Sequence, residues 1–348
     1  MGIADILKIL QSVLELGLIN SLTVLALLLS YSMLNVCDLS TDGCFTLGAA
    51  VGAVVTLSGH PYLAIPAAMA AGVASGFITA FLQTRMGINS LLSGIIVNTG
   101  LYSVNIAVMG GASLLNMNKA ATVFSDAKSF LLDILMPFCN RIEGALAGAA
   151  AKLFRLGDAE EVRAGVTAAT GKVFDFIAGW HKVIVAFIFV ALTVIFISIF
   201  LKTRLGLAIR ATGDNTEMVR YSSINPVFTT TVGLCVANAF TALSGCLLAQ
   251  SQKSAEINMG QGMVTVALAS LLIGGTLFSR GSIRVRAIGA VVGGVIFRLV
   301  YAVALRFQMP AYMLKLVSAV IVIFAIFIPY LKKQYPALSK KLFKRKEA

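Results

Sequence analysis

Nine long apolar runs dominate the sequence and decide its fold class. About 20 such residues cross a hydrocarbon core of ~30 Å, and only 12% of the 348 residues are charged, against roughly 25% in soluble domains. Because lipid offers the backbone no hydrogen-bond partners, each span must be helical, so we predict an all-α polytopic membrane protein. The predicted spans are Ser12–Met33, Gly43–Gly59, Tyr62–Thr84, Ile88–Met109, Val183–Leu201, Pro226–Gln250, Gly262–Phe278, Ala287–Phe307 and Tyr312–Leu331.

The short loops indicate the orientation, because Lys and Arg favour the cytoplasmic side of a membrane. Basic residues concentrate in loops 85–87, 202–225 and 279–286 and in the tail after Leu331. Placing all four inside satisfies nine spans and puts the N-terminus outside and the C-terminus inside. The predicted regions are a first transmembrane half (1–109), an extracytoplasmic helical insertion (110–182), a second transmembrane half (183–335) and a basic cytoplasmic tail (336–348).

The net charge of +13 does not indicate a nucleic-acid partner. The basic tail directly follows a span and has no interleaved aromatic platform, so we interpret it as an anchor to anionic membrane lipid. His60 and His181 have no Cys, Asp or Glu at ligand spacing, and we predict no metal site. No catalytic pair of an intramembrane enzyme is found in the spans, and we predict no catalytic residues.

The insertion carries balanced charges and apolar residues at roughly helical spacing, such as Phe124, Leu131 and Leu135. Two interpretations are open. Its helices pack on the outer ends of the spans, or they form a platform for an extracytoplasmic partner.

Two spans, Gly43–Gly59 and Gly262–Phe278, are short and interrupted by glycine. They lie in different halves and are predicted to run in opposite directions, which is typical of an inverted repeat with a pathway near the membrane midplane. Close helix packing through small residues is the alternative. The predicted pathway residues are Asp42, Gly43, Thr46, Gly48, Gly262, Thr265, Ala267 and Ser270.

The polar stretch between Arg204 and Pro226 separates two spans. Gly213 is expected to break the chain, and Asp214 and Glu217 to form a capping box for a short helix at about 214–222. Asn225 should then cap the next span, with Pro226 at its first helical position. A rigid polar helix of this kind suits contact with a soluble cytoplasmic partner.

The stretch "LAIRATGDNTEMVRYSSIN" resembles the cytoplasmic loop of permease subunits of ABC importers, in the branched-chain amino acid and ribose permease superfamily. Ser223 departs from the usual glycine. "LSTDGCFTLGAAVGA" and "ALSGCLLAQSQKSAEINMGQGMVTVALASLLIGGTLF" resemble a narrower group with aromatic amino acids, notably tryptophan, as suggested substrates. The matching loop residues are Arg210, Ala211, Gly213, Asn215, Arg220, Ile224 and Asn225.

The resemblance implies a permease subunit in a bacterial cell membrane, working with a second, identical permease chain, cytoplasmic ATP-binding subunits and an extracytoplasmic substrate-binding lipoprotein. ATP and Mg²⁺ would bind the partner subunit, so no cofactor is expected on this chain. An ion-coupled secondary transporter is the alternative. The residues implied to couple the chain to the ATPase are Arg210, Gly213, Asp214, Asn215, Glu217, Met218, Arg220 and Tyr221.

Arg298 falls near the middle of the eighth predicted span. A charge there is costly and should face protein or water, so we expect either a structural ion pair or a role in the pathway. The candidate partners are Glu15, Asp38 and Asp42. Three intramembrane amides are expected to hydrogen-bond between helices, namely Asn98, Asn105 and Asn238.

Overall fold

The computed structural model describes residues 3–133, 179–278 and 282–306, and the single positions 316, 319, 320, 322–324 and 327. This part of the chain is mostly helical. Its helices are α1 (Ile3–Leu27), which continues as a π-helical segment (Leu28–Met33), α2 (Thr41–Leu57), α3 (Ala64–Thr84), α4 (Ser90–Val108), α5 (His181–Phe200), α6 (Arg204–Asp214), α7 (Thr216–Tyr221), α8 (Pro226–Gln252), α9 (Met263–Leu277) and α10 (Ile283–Arg306).

Six of these helices are long and apolar enough to cross a membrane: α1 with its π-helical end, α3, α4, α5, α8 and α10. Two further apolar helices, α2 and α9, have 17 and 15 residues and are too short by the same measure. Eight of the predicted spans therefore coincide with apolar helices. The ninth, Tyr312–Leu331, lies mostly outside the described residues, so the count of nine and the sidedness of the termini stay predictions.

A small sheet adds to the helical fold that the sequence predicted. Strand β1 (Leu114–Asn116) pairs antiparallel with β2 (Ser254–Glu256), and so joins the start of the insertion to the connection between α8 and α9. Next, residues 123–133 are helical. Val123 donates to Gln250 Oε1 at 3.2 Å, and Phe124 is buried in the main core. The first part of the insertion thus packs on the helix ends, whereas residues 134–178 lie outside the described part.

Helices α1 and α8 form the centre of the bundle, and most of each is buried. Each central helix packs along a helix of the other half, because α1 lies against α10 and α8 lies against α3. Each also contacts the short helix of the opposite half, α1 with α9 and α8 with α2. This packing holds the two halves together and is stabilised mainly by apolar side chains of α1 and α8.

Candidate functional site

The loop that precedes α2 lies at the centre of the bundle. Asp38 accepts from Asn238 Nδ2 at 2.8 Å, and Asn238 is near the midpoint of the 27-residue helix α8. The Asp38 carboxylate also accepts from the backbone and hydroxyl of Ser40, so it is satisfied although it is only 2% exposed. Helix α2 therefore starts near mid-depth rather than at a face of the bundle.

Helix α9 starts at the same point, and Asp42 joins the two helices. Its Oδ2 accepts from Gly262 N at 2.9 Å and its Oδ1 accepts from Val264 N at 2.8 Å. Gly262, the residue before α9, has φ +85°, a conformation that favours glycine. The carboxylate thus caps the N-terminus of α9, where unpaired N–H groups and the helix dipole favour a negative charge.

Thr46, one turn further along α2, makes a second link. Its hydroxyl accepts from Gly260 N at 3.1 Å and donates to the Asp42 carbonyl at 3.1 Å. From this junction α2 runs toward Thr56, which contacts Gln250 at the end of α8. Helix α9 runs the other way, and Gly274 packs against the first turns of α10. The two short helices leave the centre in opposite directions, as the sequence predicted for these two spans.

A cavity of about 360 Å³ opens beside this junction. Helix α2, helix α4 and the connection before α9 form its walls, and most of the lining side chains can form hydrogen bonds. Three of the predicted pathway residues, all on α2, are among them. The lining residues are Asp42, Gly43, Thr46, Asn98, Thr99, Tyr102, Ser103, Asn105, Ile257 and Gln261.

Helix α4 supplies half of this lining, which the sequence reasoning missed. Asn98 and Asn105 were predicted to hydrogen-bond between helices, and Asn105 does donate to the Gly43 carbonyl at 3.2 Å. Its Oδ1, however, is buried and has no protein partner among the described residues. The spacing of Asn98, Tyr102 and Asn105 places them on one helix face, and this pattern could have revealed the polar stripe.

The other predicted pathway residues lie elsewhere. Gly48 packs on α8, where an added β-carbon would lie 2.0 Å from the Ala242 carbonyl oxygen. Ala267 is buried in the main core, and Ser270 is buried against α10 and donates to Val266 O at 2.7 Å. Thr265 is exposed on α9. The packing alternative therefore describes Gly48, Ala267 and Ser270, and the cavity contains the residues at the start of α2.

The polar stretch forms two helices, and this corrects two predictions about its start. Gly213 does not break the chain but lies inside α6, and an added β-carbon there would be 2.1 Å from the Met33 carbonyl oxygen. Asp214 ends α6, and the cap of α7 is Asn215, whose Oδ1 accepts from Met218 N at 3.1 Å. Sequence alone did not distinguish a glycine needed for close packing from a glycine that ends a helix.

Helix α7 follows α6 and lies at the surface. Val219 is its buried residue, while Met218 and Tyr221 are 67% and 89% exposed. Glu217 and Arg220 pair with each other at 3.3 Å on the surface. The helix therefore presents two apolar side chains and one ion pair outward.

The residues before and after α7 are hydrogen-bonded to the bundle. The cap of α8 is confirmed, since Asn225 Oδ1 accepts from Val227 N at 3.0 Å and Pro226 begins the helix. Thr212 of α6 and Thr229 of α8 share a buried hydrogen bond of 2.8 Å. Arg210 points to a different place, a cleft that it shares with the start of α10.

Arg298 contacts an aromatic ring. Its Cζ lies 5.0 Å from the ring centroid of Tyr301, a cation–π geometry. The three carboxylates considered as partners make other contacts, because Glu15 pairs with Lys182 at 3.4 Å and Asp38 and Asp42 have the hydrogen bonds described above. Within the described residues, then, the predicted ion pair of Arg298 is not formed with any of them.

No group of three or more His, Cys, Asp or Glu that could hold a metal occurs in the described part of the chain.

Comparison with known proteins places these features in a family. The family described as "Branched-chain amino acid transport system / permease component" matches residues 9–326. A tyrosine transport system permease protein of Clostridioides difficile (strain R20291) is 28% identical over 313 residues, which cover 90% of this chain and 88% of that protein. An uncharacterized protein of Rickettsia prowazekii (strain Madrid E) is 28% identical over 274 residues, 78% of this chain and 79% of the relative.

No solved structure matches the chain significantly. The family match, however, covers nearly the whole sequence, including both short helices and the cavity between them. The chain belongs to the family of permease components of branched-chain amino acid transport systems.

Proposed function

We propose that the chain is the membrane-spanning subunit of an ATP-driven importer, and that it moves an amino acid with an aromatic side chain. The observation that carries the proposal is the family match over residues 9–326, together with the relative named as a tyrosine transport permease. Family membership supports a transport subunit. The cavity at the α2–α9 junction and helix α7 support the substrate path and the partners that we infer.

The substrate path is assigned to the cavity at the α2–α9 junction. Asn98 is partly exposed, and Thr99, Tyr102 and Ser103 are exposed near the middle of α4. Such a polar stripe is unfavourable in hydrocarbon, since polar groups there need partners. It should therefore face a water-filled path or a second copy of the chain. A path at the junction of two permease chains would provide both of these surroundings. A pair of chains would also offer two copies of α7.

The size and chemistry of the cavity suit one amino acid. Small-molecule sites commonly measure about 300–1,000 Å³, and this cavity measures about 360 Å³. Its free groups are mostly neutral amides and hydroxyls, with the Tyr102 ring beside them, because the Asp42 carboxylate is already bound to α9. Such a surface forms weak, replaceable hydrogen bonds. Weak contacts favour passage, and specificity would then come from an extracytoplasmic binding protein.

Helix α7 is assigned to the contact with a cytoplasmic ATPase. Met218 and Tyr221 expose apolar surface on an otherwise polar helix, and large apolar side chains beside charges are common at protein interfaces. The helix is linked to α8 through Asn225 and to the end of α1 through Gly213. A displacement of α7 would therefore reach the transmembrane helices rather than be absorbed by a flexible loop.

Uptake of labelled tyrosine tests the energy source. It should be measured in cells that express the chain with an ATPase and a binding protein encoded beside it. We expect uptake to stop on ATP depletion and to persist when an ionophore collapses ion gradients. The opposite pattern would support an ion-coupled transporter instead. Glu217→Lys and Arg220→Glu should abolish substrate-stimulated ATPase activity without preventing insertion, whereas Glu256→Gln, an exposed carboxylate on β2, serves as the matched control.

Cysteine labelling tests the orientation. A cysteine at position 150 should react from outside, and cysteines at positions 215 and 345 only after permeabilisation. Reaction of position 150 from the cytoplasmic side would overturn the proposed topology.

A further inference from the structure

A second cavity, of about 390 Å³, lies beside the start of α10. We call it the basic cleft and define it by its lining residues. They come from the turn after α5, from α6 and from the start of α10. The lining residues are Lys202, Arg210, Ser282, Ile283, Arg284 and Arg286.

Among the described residues that line the cleft, four of six are cationic and none is acidic. Like charges that share a cavity repel one another, so such a group is stabilised by an anion. One hydrogen bond orients a lining side chain, and the start of α10 adds to the positive potential of the cleft. Arg286 Nη2 donates to Ser32 Oγ at 2.8 Å, and Ser282 precedes the first turn of α10, whose N–H groups and dipole also attract negative charge.

The cleft lies at the level where membrane helices end. Lys202 lies two residues after α5, and Arg284 and Arg286 belong to the first turn of α10. Large apolar side chains near these ends point outward, as Ile199, Leu277 and Ile288 are 61%, 58% and 49% exposed. Cationic groups thus adjoin an apolar outer surface, which is the arrangement that a phospholipid meets with its headgroup and its acyl chains.

We propose that the basic cleft binds the phosphate of an anionic phospholipid headgroup. Guanidinium and ammonium groups form short, charge-assisted hydrogen bonds with phosphate oxygens, and the cleft has three guanidinium groups and one ammonium group. The apolar surface beside it favours a lipid over free phosphate, since only a lipid also covers Leu277 and Ile288. The position of the cleft at the level where membrane helices end favours a lipid headgroup over an acidic protein segment.

The test is lipid retention by the purified full chain, measured by native mass spectrometry after exposure to micelles containing phosphatidylglycerol or phosphatidylcholine. We expect selective retention of phosphatidylglycerol. Lys202→Gln/Arg284→Gln should lower its occupancy on the order of tenfold or more, because each basic residue near an anionic surface contributes separately. Lys202→Arg/Arg284→Lys should retain it. Arg85→Gln, an exposed basic residue in the loop between α3 and α4, is the matched control and should bind normally.

Three outcomes would overturn the proposal. Equal retention by the double variant and the control would show that the basic cleft is not the lipid site. Displacement of the lipid by millimolar inorganic phosphate would assign the cleft to a free anion. Normal lipid retention with loss of ATPase association in the double variant would identify a protein-docking surface. The two lipid-retention measurements require neither transport nor an ATPase, so they remain informative if the proposed importer function is wrong.

Discussion

Asp42→Ala is expected to destabilise the junction between the two short helices. The carboxylate accepts two backbone N–H groups at 2.9 and 2.8 Å, and alanine accepts none. A hydrogen bond to a charged group contributes about 1.5–3 kcal/mol, and loss of a helix cap costs about 0.5–2 kcal/mol. Water from the adjoining cavity can rehydrate the freed N–H groups, so we expect a loss of about 2–3 kcal/mol in the free energy of unfolding.

Asp42→Asn separates geometry from charge. The asparagine oxygen can accept one of the two N–H groups, but its amide nitrogen cannot accept the other. We therefore expect an intermediate loss of about 1–2 kcal/mol. The order of stability should be Asp, then Asn, then Ala. If the cap did not matter, the asparagine and alanine variants would show no such order.

Thermal unfolding in one detergent measures both variants. At roughly 2 °C per kcal/mol for a chain of this size, Asp42→Ala should lower Tm by about 4–6 °C and Asp42→Asn by about 2–4 °C. Glu256→Gln removes an exposed carboxylate on β2 and should change stability by less than about 0.5 kcal/mol. A Tm of Asp42→Ala equal to that of this control would refute the capping role.

Two further substitutions test the packing of α2 and an ion pair. Gly48→Ala would place a β-carbon 2.0 Å from the Ala242 carbonyl oxygen. It should cost about 1–3 kcal/mol by overpacking and lower Tm. In the control, Gly100→Ala, the β-carbon meets nothing within 4 Å, and Tm should not change. Lys182→Met removes the 3.4 Å ion pair with Glu15; the side chains of Lys182 and Glu15 are 33% and 12% exposed. The loss should cost about 1 kcal/mol in the free energy of unfolding. Additive effects in a double-mutant cycle with Glu15→Gln would contradict the pairing.

The positions of the apolar helices were predictable, because the physics of a membrane span depends on local composition. Predicted Pro226–Gln250 appears as Pro226–Gln252, and Gly262–Phe278 appears as Met263–Leu277. The depth of α2 and α9 was not predictable. Hydropathy reports whether a segment is apolar, not whether it starts at a face or at the centre of the bundle. That information lies in contacts such as Asp42 with Gly262, which are 220 residues apart.

The candidate site was predicted in part for a similar reason. Asp42, Gly43 and Thr46 were chosen because they open a short, glycine-rich span, and they do line the cavity. Gly48 was chosen on the same grounds, yet it packs on α8. A glycine that leaves room for a solute and a glycine that leaves room for a neighbouring helix look alike in a sequence. The polar stripe of α4 was visible in the sequence, but each amide was interpreted alone.

A continuous set of contacts connects α7 to the cavity. Gly213 lies in α6, shortly before α7, and packs against the Met33 carbonyl at the end of the π-helical segment. The loop that follows leads within nine residues from Met33 to Asp42 and is fixed at Asp38 by Asn238. A shift of α6 against the π-helical segment would therefore be transmitted along a short, buried loop to the cap of α9.

Gly213→Ala tests this connection. The added β-carbon would lie 2.1 Å from a backbone oxygen, and a backbone atom cannot move aside as a flexible side chain can, so α6 must separate from the π-helical segment. We expect the variant to bind the ATPase and to retain basal ATP hydrolysis, because the exposed face of α7 is unchanged. Uptake should fall by at least tenfold, a larger loss than a Tm decrease of a few degrees explains. Gly275→Ala, which meets nothing within 4 Å, is the control. Normal uptake by Gly213→Ala in folded protein would refute a coupling route through Gly213 and the π-helical segment.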